Sequence, residues 1–160
     1  SSLPSNNHLG YLLRTAPNHE YIKILRDNWD GPLIVKGVMC PDDVAPLEGM
    51  GVDAAWVSNH AGRQFAGSPG AIDMLPAIRA STNLPLIFDS GIEGGLDILR
   101  ALALGADFVM LGRAWHYALG AVGNEGPKHL YDMLMDDLNS NMIQIAATKL
   151  DELHNLLHKN

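Results

Sequence analysis

The chain has 160 residues, of which 47% are hydrophobic and 18% charged, a composition that excludes a disordered or fibrous protein. Asp and Glu outnumber Lys and Arg by 18 to 11, and the formal net charge of −7 argues against nucleic acid as a partner. The one cysteine, Cys40, excludes an internal disulfide, and no Cys or His spacing is typical of a zinc or other metal site.

The order of apolar runs predicts alternating helices and strands. A helix over 20–29 leads into the first strand. Four apolar runs without polar alternation predict buried parallel strands, namely PLIVKG (32–37), DAAWVSN (53–59), LPLIFDSG (84–91) and ADFVMLGR (106–113). Helices are predicted between them over 41–50, 72–81 and 95–105, and a helical tail over about 125–157. Pro46 and Pro76 should shorten or kink the helices that contain them.

The sequence predicts no transmembrane segment. A helix that spans a bilayer needs about 20 consecutive apolar residues. The longest apolar stretch, 101–112, is shorter and contains Asp107. Together with the single cysteine, this favours a cytoplasmic protein, with or without peripheral association with the inner membrane.

The alternation of strands and helices is compatible with a doubly wound open sheet or with a (β/α)8 TIM barrel. Each predicted strand ends in glycine or polar residues, as in Ser58-Asn59-His60 and Asp89-Ser90-Gly91. In a barrel all these ends converge on the face that carries the chemistry, whereas in an open sheet they converge mostly near one switch point. No G-x-G-x-x-G motif follows the first strand. We therefore favour the barrel, of which four strands are half.

Polar residues at the second strand end indicate an acid–base site beside an anion clamp. Histidine is the side chain best suited to gain and lose a proton near neutral pH, so His60 is a candidate general base. Arg63 carries a planar fork that matches a carboxylate. The alternatives are an ordinary loop histidine and a surface ion pair.

The other strand ends indicate an anionic ligand. Lys36 lies in the most apolar strand, so it either reaches solvent or meets developing negative charge on a ligand. Gly91, Gly94, Gly95 and Gly112 leave backbone N–H groups approachable before helices, and Arg113 adds positive charge, as a phosphate site requires. Asp89 is placed either to accept from a hydroxyl group of the ligand or to cap the turn that follows it.

The motifs IVKG, SNHAGRQ, DSGIEGG and ALALGADFVMLGRA, with the helical tail, resemble the C-terminal half of the FMN-dependent α-hydroxy-acid dehydrogenases and oxidases. That family includes the L-lactate, glycolate and mandelate enzymes. The resemblance runs in order from about Arg26 to Met142. It implies strands 5–8 of a TIM barrel, with FMN as the cofactor and a small L-2-hydroxy acid as the substrate.

The resemblance also implies roles for single residues. His60 would take a proton from the hydroxy acid as a hydride equivalent passes to the flavin, and Arg63 would bind the substrate carboxylate. Lys36 would stabilise the reduced flavin ring, which Ser58 would also contact. The ribityl-phosphate end would be bound by Asp89, Gly91, Gly112 and Arg113.

Two positions depart from the family pattern. Ala61 stands where the family usually has the first of two glycines after the histidine, which adds a methyl group close to the site. Glu93 stands where the family commonly has arginine in D-x-G-I-R. Because a carboxylate there would repel the cofactor phosphate, we expect Glu93 to turn outward.

We expect residues 1–18 to be the polar remnant of a loop and 19–160 to be the C-terminal half of the barrel domain. The missing N-terminal half would then be a partner, and the whole enzyme a homo-oligomer. The alternative is a non-catalytic half-barrel that binds flavin or phosphate, or that promotes oligomerisation. Another FMN or phosphate-binding barrel enzyme is disfavoured, because such a barrel needs no His-Arg pair after this strand.

Overall fold

The structure is a computed structural model that describes residues 18–157, so the expected loop remnant lies, apart from Asn18, outside the described residues. Its ten regular elements alternate from helix to strand before ending in two consecutive helices. They are α1 (His19–Asn28), β1 (Ile34–Val38), α2 (Pro41–Val44), β2 (Ala54–Val57), α3 (Ala71–Ser81), β3 (Leu86–Phe88), α4 (Gly95–Ala103), β4 (Phe108–Val109), α5 (Arg113–Val122) and α6 (Gly126–Gln144). Short 3-10 turns occupy Ala45–Met50, His60–Gly62, Gly123–Glu125 and Leu150–Leu156.

The four strands form one parallel sheet in the order β1-β2-β3-β4. This order has no reversal, so the described sheet lacks the switch point of a doubly wound fold. All four carboxyl ends therefore lie along one edge, as predicted. The register of β1 against β2 shifts between Lys36 and Val38, where Gly37 adopts a φ of 98°.

Helices cover one face of the sheet and leave the other open. The covered face carries alternate residues of the strands, among them Val57, Leu86 and Phe88, each with 0% of its surface exposed. The opposite face carries the row Lys36, Trp56, Ile87 and Phe108, which the register places side by side. Phe108 is 58% exposed there, which is unusual for a large apolar side chain in a parallel sheet.

The amino ends of the strands are held by a polar contact that occurs twice. Arg26 of α1 lies 3.3 Å from Asp53, whose carboxylate also accepts the backbone N–H of Leu33 at 2.7 Å. Arg79 of α3 lies 3.2 Å from Asp107, whose carboxylate accepts the backbone N–H of the first residue of β3 at 2.8 Å. Each contact joins a helix to the next two strands, at the edge of the sheet remote from the polar strand ends.

The predicted helices are largely confirmed, with two corrections. The predicted helix over 41–50 becomes α2 and a 3-10 turn, and the change comes just before Pro46, as expected. Pro76 does not shorten α3, whose residues Leu75 and Ile78 are fully buried and anchor the helix on both sides of the proline.

The predicted helical tail over about 125–157 is present but divided into two segments. Helix α6 ends at Gln144, the backbone turns at Ala146 with a φ of 55°, and a 3-10 turn follows. The tail folds back because Met142 and Leu153 are both buried in one cluster against α4. Within residues 18–157, no helix combines the length and apolar character that crossing a membrane requires.

Candidate active site

The Lys36 ammonium joins the ends of three strands. Its Nζ lies 2.8 Å from Ser58 Oγ, just after β2, and 2.9 Å from Asp89 Oδ2, just after β3. It also lies 4.5 Å from the centre of the Trp56 ring, within cation–π range. Because the lysine side chain is only 36% exposed, the Asp89 carboxylate supplies the countercharge that its partial burial requires.

The Asp89 carboxyl group keeps its charge despite partial burial. Burial raises its pKa, but the Ser58 hydroxyl, the Lys36 ammonium and the Ser90 hydroxyl together lower the pKa below its ordinary value. The Ser90 hydroxyl donates to Asp89 Oδ1 at 2.8 Å. Asp89 is therefore the counterion of Lys36, a role that the sequence did not predict.

The turn after β2 holds His60 in an unusual backbone conformation. His60 and Ala61 have φ values of 56° and 54°, in the left-handed region that disfavours residues with a Cβ. Two side-chain oxygens secure the turn. Ser58 Oγ accepts the backbone N–H of His60 at 3.1 Å, and Ser90 Oγ accepts that of Ala61 at 3.2 Å. The Lys36 network thus sets the position of the histidine.

Two clefts open along the carboxyl edge of the sheet. The first, named the Lys36 cleft, has a volume of about 330 Å³ and includes Lys36, Ser58, Asn59 and His60 in its lining. The second, named the Arg113 cleft, has a volume of about 860 Å³. The Arg113 cleft is lined by His60, Ala61, Arg63, Asp89, Ser90, Gly91, Ile92, Glu93, Met110, Leu111, Gly112, Arg113, Ala114, His116 and Tyr117.

All eight residues to which the resemblance assigns a role line one of these clefts, and His60 lines both, whereas Gly94 and Gly95 line neither. In the range 18–157, the side chains of His60, Arg63 and Arg113 form no hydrogen bond or ion pair with another residue. Three basic groups are thus free to meet a ligand. Asn59 Oδ1, which is buried and has no partner among these residues, is a further polar atom at the Lys36 cleft.

The glycines after β3 and β4 divide into two kinds. Gly91 and Gly112 border open space, since a Cβ at either would meet no atom within 4 Å. The expectation that Gly95 leaves its N–H approachable is wrong. Gly95 packs against α6, where a Cβ would lie 2.1 Å from Leu138 N, and its N–H donates to the Asp137 carboxylate. Glu93 is exposed, but it lines the Arg113 cleft.

Sequence comparison identifies the family. A family profile described as FMN-dependent dehydrogenase matches residues 1–159. The chain belongs to this family. The resemblance drawn from SNHAGRQ and the glycine-rich motifs is thereby confirmed, and FMN is the cofactor that the family membership indicates, as predicted.

Curated relatives include two bacterial L-lactate dehydrogenases. That of Actinobacillus pleuropneumoniae is 40% identical over 131 residues, which are 81% of this chain and 34% of the relative. That of Acinetobacter baumannii is 40% identical over 132 residues, with the same two coverages. The chain therefore spans about a third of the length of the curated relatives it matches.

Solved structures share the fold. A mandelate oxidase superposes with a TM-score of 0.85 at 31% identity, covering 91% of this chain and 43% of the oxidase. A lactate oxidase from Pediococcus acidilactici superposes with a TM-score of 0.83 at 32% identity, covering 92% and 45%. The predicted α/β class with a parallel sheet is confirmed.

The residues of both clefts fit a flavin mononucleotide. A phosphate requires approachable N–H groups and fixed positive charge, which Gly91, Gly112 and Arg113 offer together in the Arg113 cleft. A flavin ring carries polar edge atoms, and Lys36 and the unpartnered Asn59 Oδ1 offer a donor and an acceptor in the Lys36 cleft.

Three cleft residues were missed by the sequence analysis. Ser90 was treated in the sequence analysis only as part of a strand end. A serine between Asp89 and Gly91 is nevertheless a turn signal, because its hydroxyl can form hydrogen bonds that stabilise the turn. His116 and Tyr117 follow Arg113 by three and four residues, a spacing that places them on its face of α5.

Ala61→Gly should stabilise the protein. Glycine adopts the observed φ of 54° without a Cβ clash. We expect the free energy of unfolding, measured with urea, to rise by about 0.5–1 kcal/mol. This gain is the cost of the left-handed conformation for alanine, reduced by the greater conformational entropy of glycine in the unfolded state.

The matched control is Ala77→Gly in the exposed face of α3, where the backbone is helical. This change should lower the free energy of unfolding by about 0.5–1 kcal/mol. A loss of stability in both variants would contradict the conformation assigned to Ala61.

Acid should weaken the Asp89 contacts. Because its pKa is lowered in the folded state, its stabilising contribution is complete above the unfolded-state value of about 3.9 and is lost as the pH falls through the folded-state value. The free energy of unfolding should therefore decline more steeply between about pH 4 and pH 2 in the wild type than in Asp89→Asn.

The control for this pH series is Asp132→Asn, which removes a carboxylate from an exposed ion pair with Lys128. The Asp132 variant should keep the slope of the wild type. Equal slopes in the wild type and in Asp89→Asn would show that Asp89 contributes nothing to acid sensitivity.

Proposed function

We propose that the chain provides the substrate- and cofactor-binding part of an oxidoreductase that converts a small L-2-hydroxy acid into the 2-oxo acid. One observation carries the proposal. His60 and Arg63, a titratable base and a carboxylate-binding fork, line the same cleft without a partner among the described residues. Family membership and the names of the curated relatives support the same reaction class.

The chain's residues divide the work by their chemistry. Arg63 binds the substrate carboxylate through its planar fork, which orients the hydroxyl-bearing carbon. His60 accepts the proton of the hydroxyl group as general base. FMN, when bound, would supply the acceptor for the hydride equivalent, two electrons with the C2 hydrogen, that the substrate releases. Holding donor and acceptor groups in one orientation is what makes such a step effectively unimolecular.

Lys36 and Ser58 are assigned to the flavin ring. The Lys36 ammonium stabilises negative charge on the reduced ring, and its position is fixed by Asp89 at 2.9 Å and Ser58 at 2.8 Å. A preorganised charge of this kind needs no rearrangement when the ligand becomes anionic. Ser58 contacts the ring while also fixing the backbone of His60.

Gly91, Gly112 and Arg113 are assigned to the ribityl-phosphate end. Both glycines border open space in the Arg113 cleft, and Arg113 brings a guanidinium with no partner among the described residues. Asp89 already accepts from Lys36 and Ser90, so only its remaining lone pairs are available to a ribityl hydroxyl.

The open face of the sheet is assigned to the remaining strands of a TIM barrel. Ile34 is 45% exposed and Phe108 58% exposed on this face, and both edge strands lack a second neighbour in the described sheet. Uncovered apolar faces and free strand edges promote association. The proposed partner is an N-terminal half-barrel, in a cytoplasmic enzyme that forms homo-oligomers.

A non-catalytic half-barrel that promotes oligomerisation or binds flavin is the second candidate. Glu93 favours a non-catalytic chain, because a carboxylate that lines the Arg113 cleft opposes the binding of the phosphate of a catalytic FMN. The visible spectrum of the purified protein separates the two candidates. Bound flavin that L-lactate, glycolate or mandelate bleaches without oxygen supports the enzyme, whereas bound flavin that none of them bleaches supports the non-catalytic half-barrel.

His60→Ala should leave FMN bound but slow its reduction by the hydroxy acid at least about 100-fold, the lower range for loss of a general base. Stopped-flow absorbance without oxygen measures the rate. His129→Ala, at an exposed histidine of α6 outside both clefts, is the control and should reduce normally. Unchanged reduction in His60→Ala would contradict the base role.

Arg63→Lys should weaken binding of the hydroxy acid and leave binding of FMN unchanged. Replacing the fork by an ammonium loses one of two paired hydrogen bonds, so the apparent Kd of the acid should rise roughly tenfold while that of FMN stays the same. Titrating the reduction rate against acid concentration gives the first value, and quenching of FMN fluorescence gives the second. Equal loss of both would refute the carboxylate assignment.

A further inference from the structure

The Arg113 cleft has an unusual balance of charge for a phosphate site. Its fixed positive groups are Arg63 and Arg113, and its carboxylates are Asp89 and Glu93. Asp89 is neutralised by Lys36 at 2.9 Å, whereas the Glu93 side chain has no cationic partner within 4 Å among the described residues. If Arg63 binds the substrate, then only Arg113 remains to offset both Glu93 and the phosphate.

His116 is placed to supply the missing positive charge. It lies three residues after Arg113 in α5, so the two side chains share one face of the helix a single turn apart. Both line the Arg113 cleft, together with Gly91 and Gly112. His116 is exposed, and within residues 18–157 its ring nitrogens form no hydrogen bond or ion pair.

We propose that His116 is a ligand of the FMN phosphate, which it binds with Arg113 and so offsets the carboxylate of Glu93. The inference rests on the proposed function, because it takes FMN to occupy the Arg113 cleft. A protonated imidazole donates a charge-assisted hydrogen bond to a phosphate oxygen, and a neutral one donates a weaker bond.

This arrangement makes the affinity of the cleft for the FMN phosphate depend on pH. Imidazoles lose their charge between about pH 5 and pH 8, whereas guanidinium groups keep theirs. The other charged or titratable groups that face the cleft are His60, Arg63, Asp89, Glu93, Arg113 and Tyr117, with Lys36 bonded to Asp89. Substitution at position 116 alone leaves all of these in place, which isolates the contribution of His116.

The test compares FMN with riboflavin, which has the same ring and ribityl chain but no phosphate. Kd values are measured by quenching of flavin fluorescence at about pH 6 and pH 8, the range across which imidazole changes charge. The variants are His116→Ala, His116→Arg and Glu93→Gln. His129→Ala, at an exposed histidine of α6 outside the cleft, is the matched control.

His116→Ala should raise the Kd of FMN roughly tenfold at the lower pH, because one charge-assisted hydrogen bond is lost. The Kd of riboflavin should stay the same. His116→Arg should restore FMN binding, and the ratio of its Kd to that of the wild type should fall as the pH rises. Glu93→Gln should strengthen FMN binding alone. His129→Ala should match the wild type for both flavins.

The outcomes distinguish this inference from the proposed function. If the wild type binds FMN but His116→Ala binds it equally well, the phosphate role of His116 is refuted and the proposed function stands. Equal weakening of FMN and riboflavin would also refute it, because that result means general damage to the cleft. A wild type that binds neither flavin would contradict both proposals.

Discussion

Neutralising the Lys36 ammonium is the constraint on which the rest of the site depends. A charge that is partly withdrawn from water is stabilised by pairing, and here the partners come from the ends of two other strands, Ser58 and Asp89. The same two residues then act on the histidine turn. Ser58 accepts from the backbone of His60, and Asp89 holds Ser90, which accepts from Ala61. One partly exposed ion pair is thus connected, through two serine hydroxyls, to the backbone of the histidine turn.

The two edges of the sheet differ in whether their polar side chains are already paired. At the amino edge, Arg26 with Asp53 and Arg79 with Asp107 satisfy each other and bind the adjacent backbone. At the carboxyl edge, the side chains of His60, Arg63 and Arg113 are left without partners among the described residues. Polar groups that are already satisfied are less available to a ligand, so the edge with free groups is the one that is suited to a cofactor and a substrate.

Much of this arrangement could be predicted from sequence. Parallel strands bring their carboxyl ends to one edge, so the polar residues after each apolar run had to be neighbours, and motif resemblance supplied the cofactor. What could not be predicted depends on contacts between distant segments. The loss of the Gly95 N–H to Asp137 and the fold-back after Gln144 arise from the packing of α6 on α4, which no local pattern encodes.

The Trp56 indole on the open face has a consequence for whatever covers it. Its Nε1–H is buried and has no acceptor within the described residues, while the ring itself is occupied by the Lys36 ammonium. A stranded donor of this kind is a free-energy penalty that an approaching segment removes only by aligning an oxygen with it. A partner that covers this face therefore relieves the penalty only where it supplies an oxygen to the indole N–H, whereas side chains of carbon alone leave it in place.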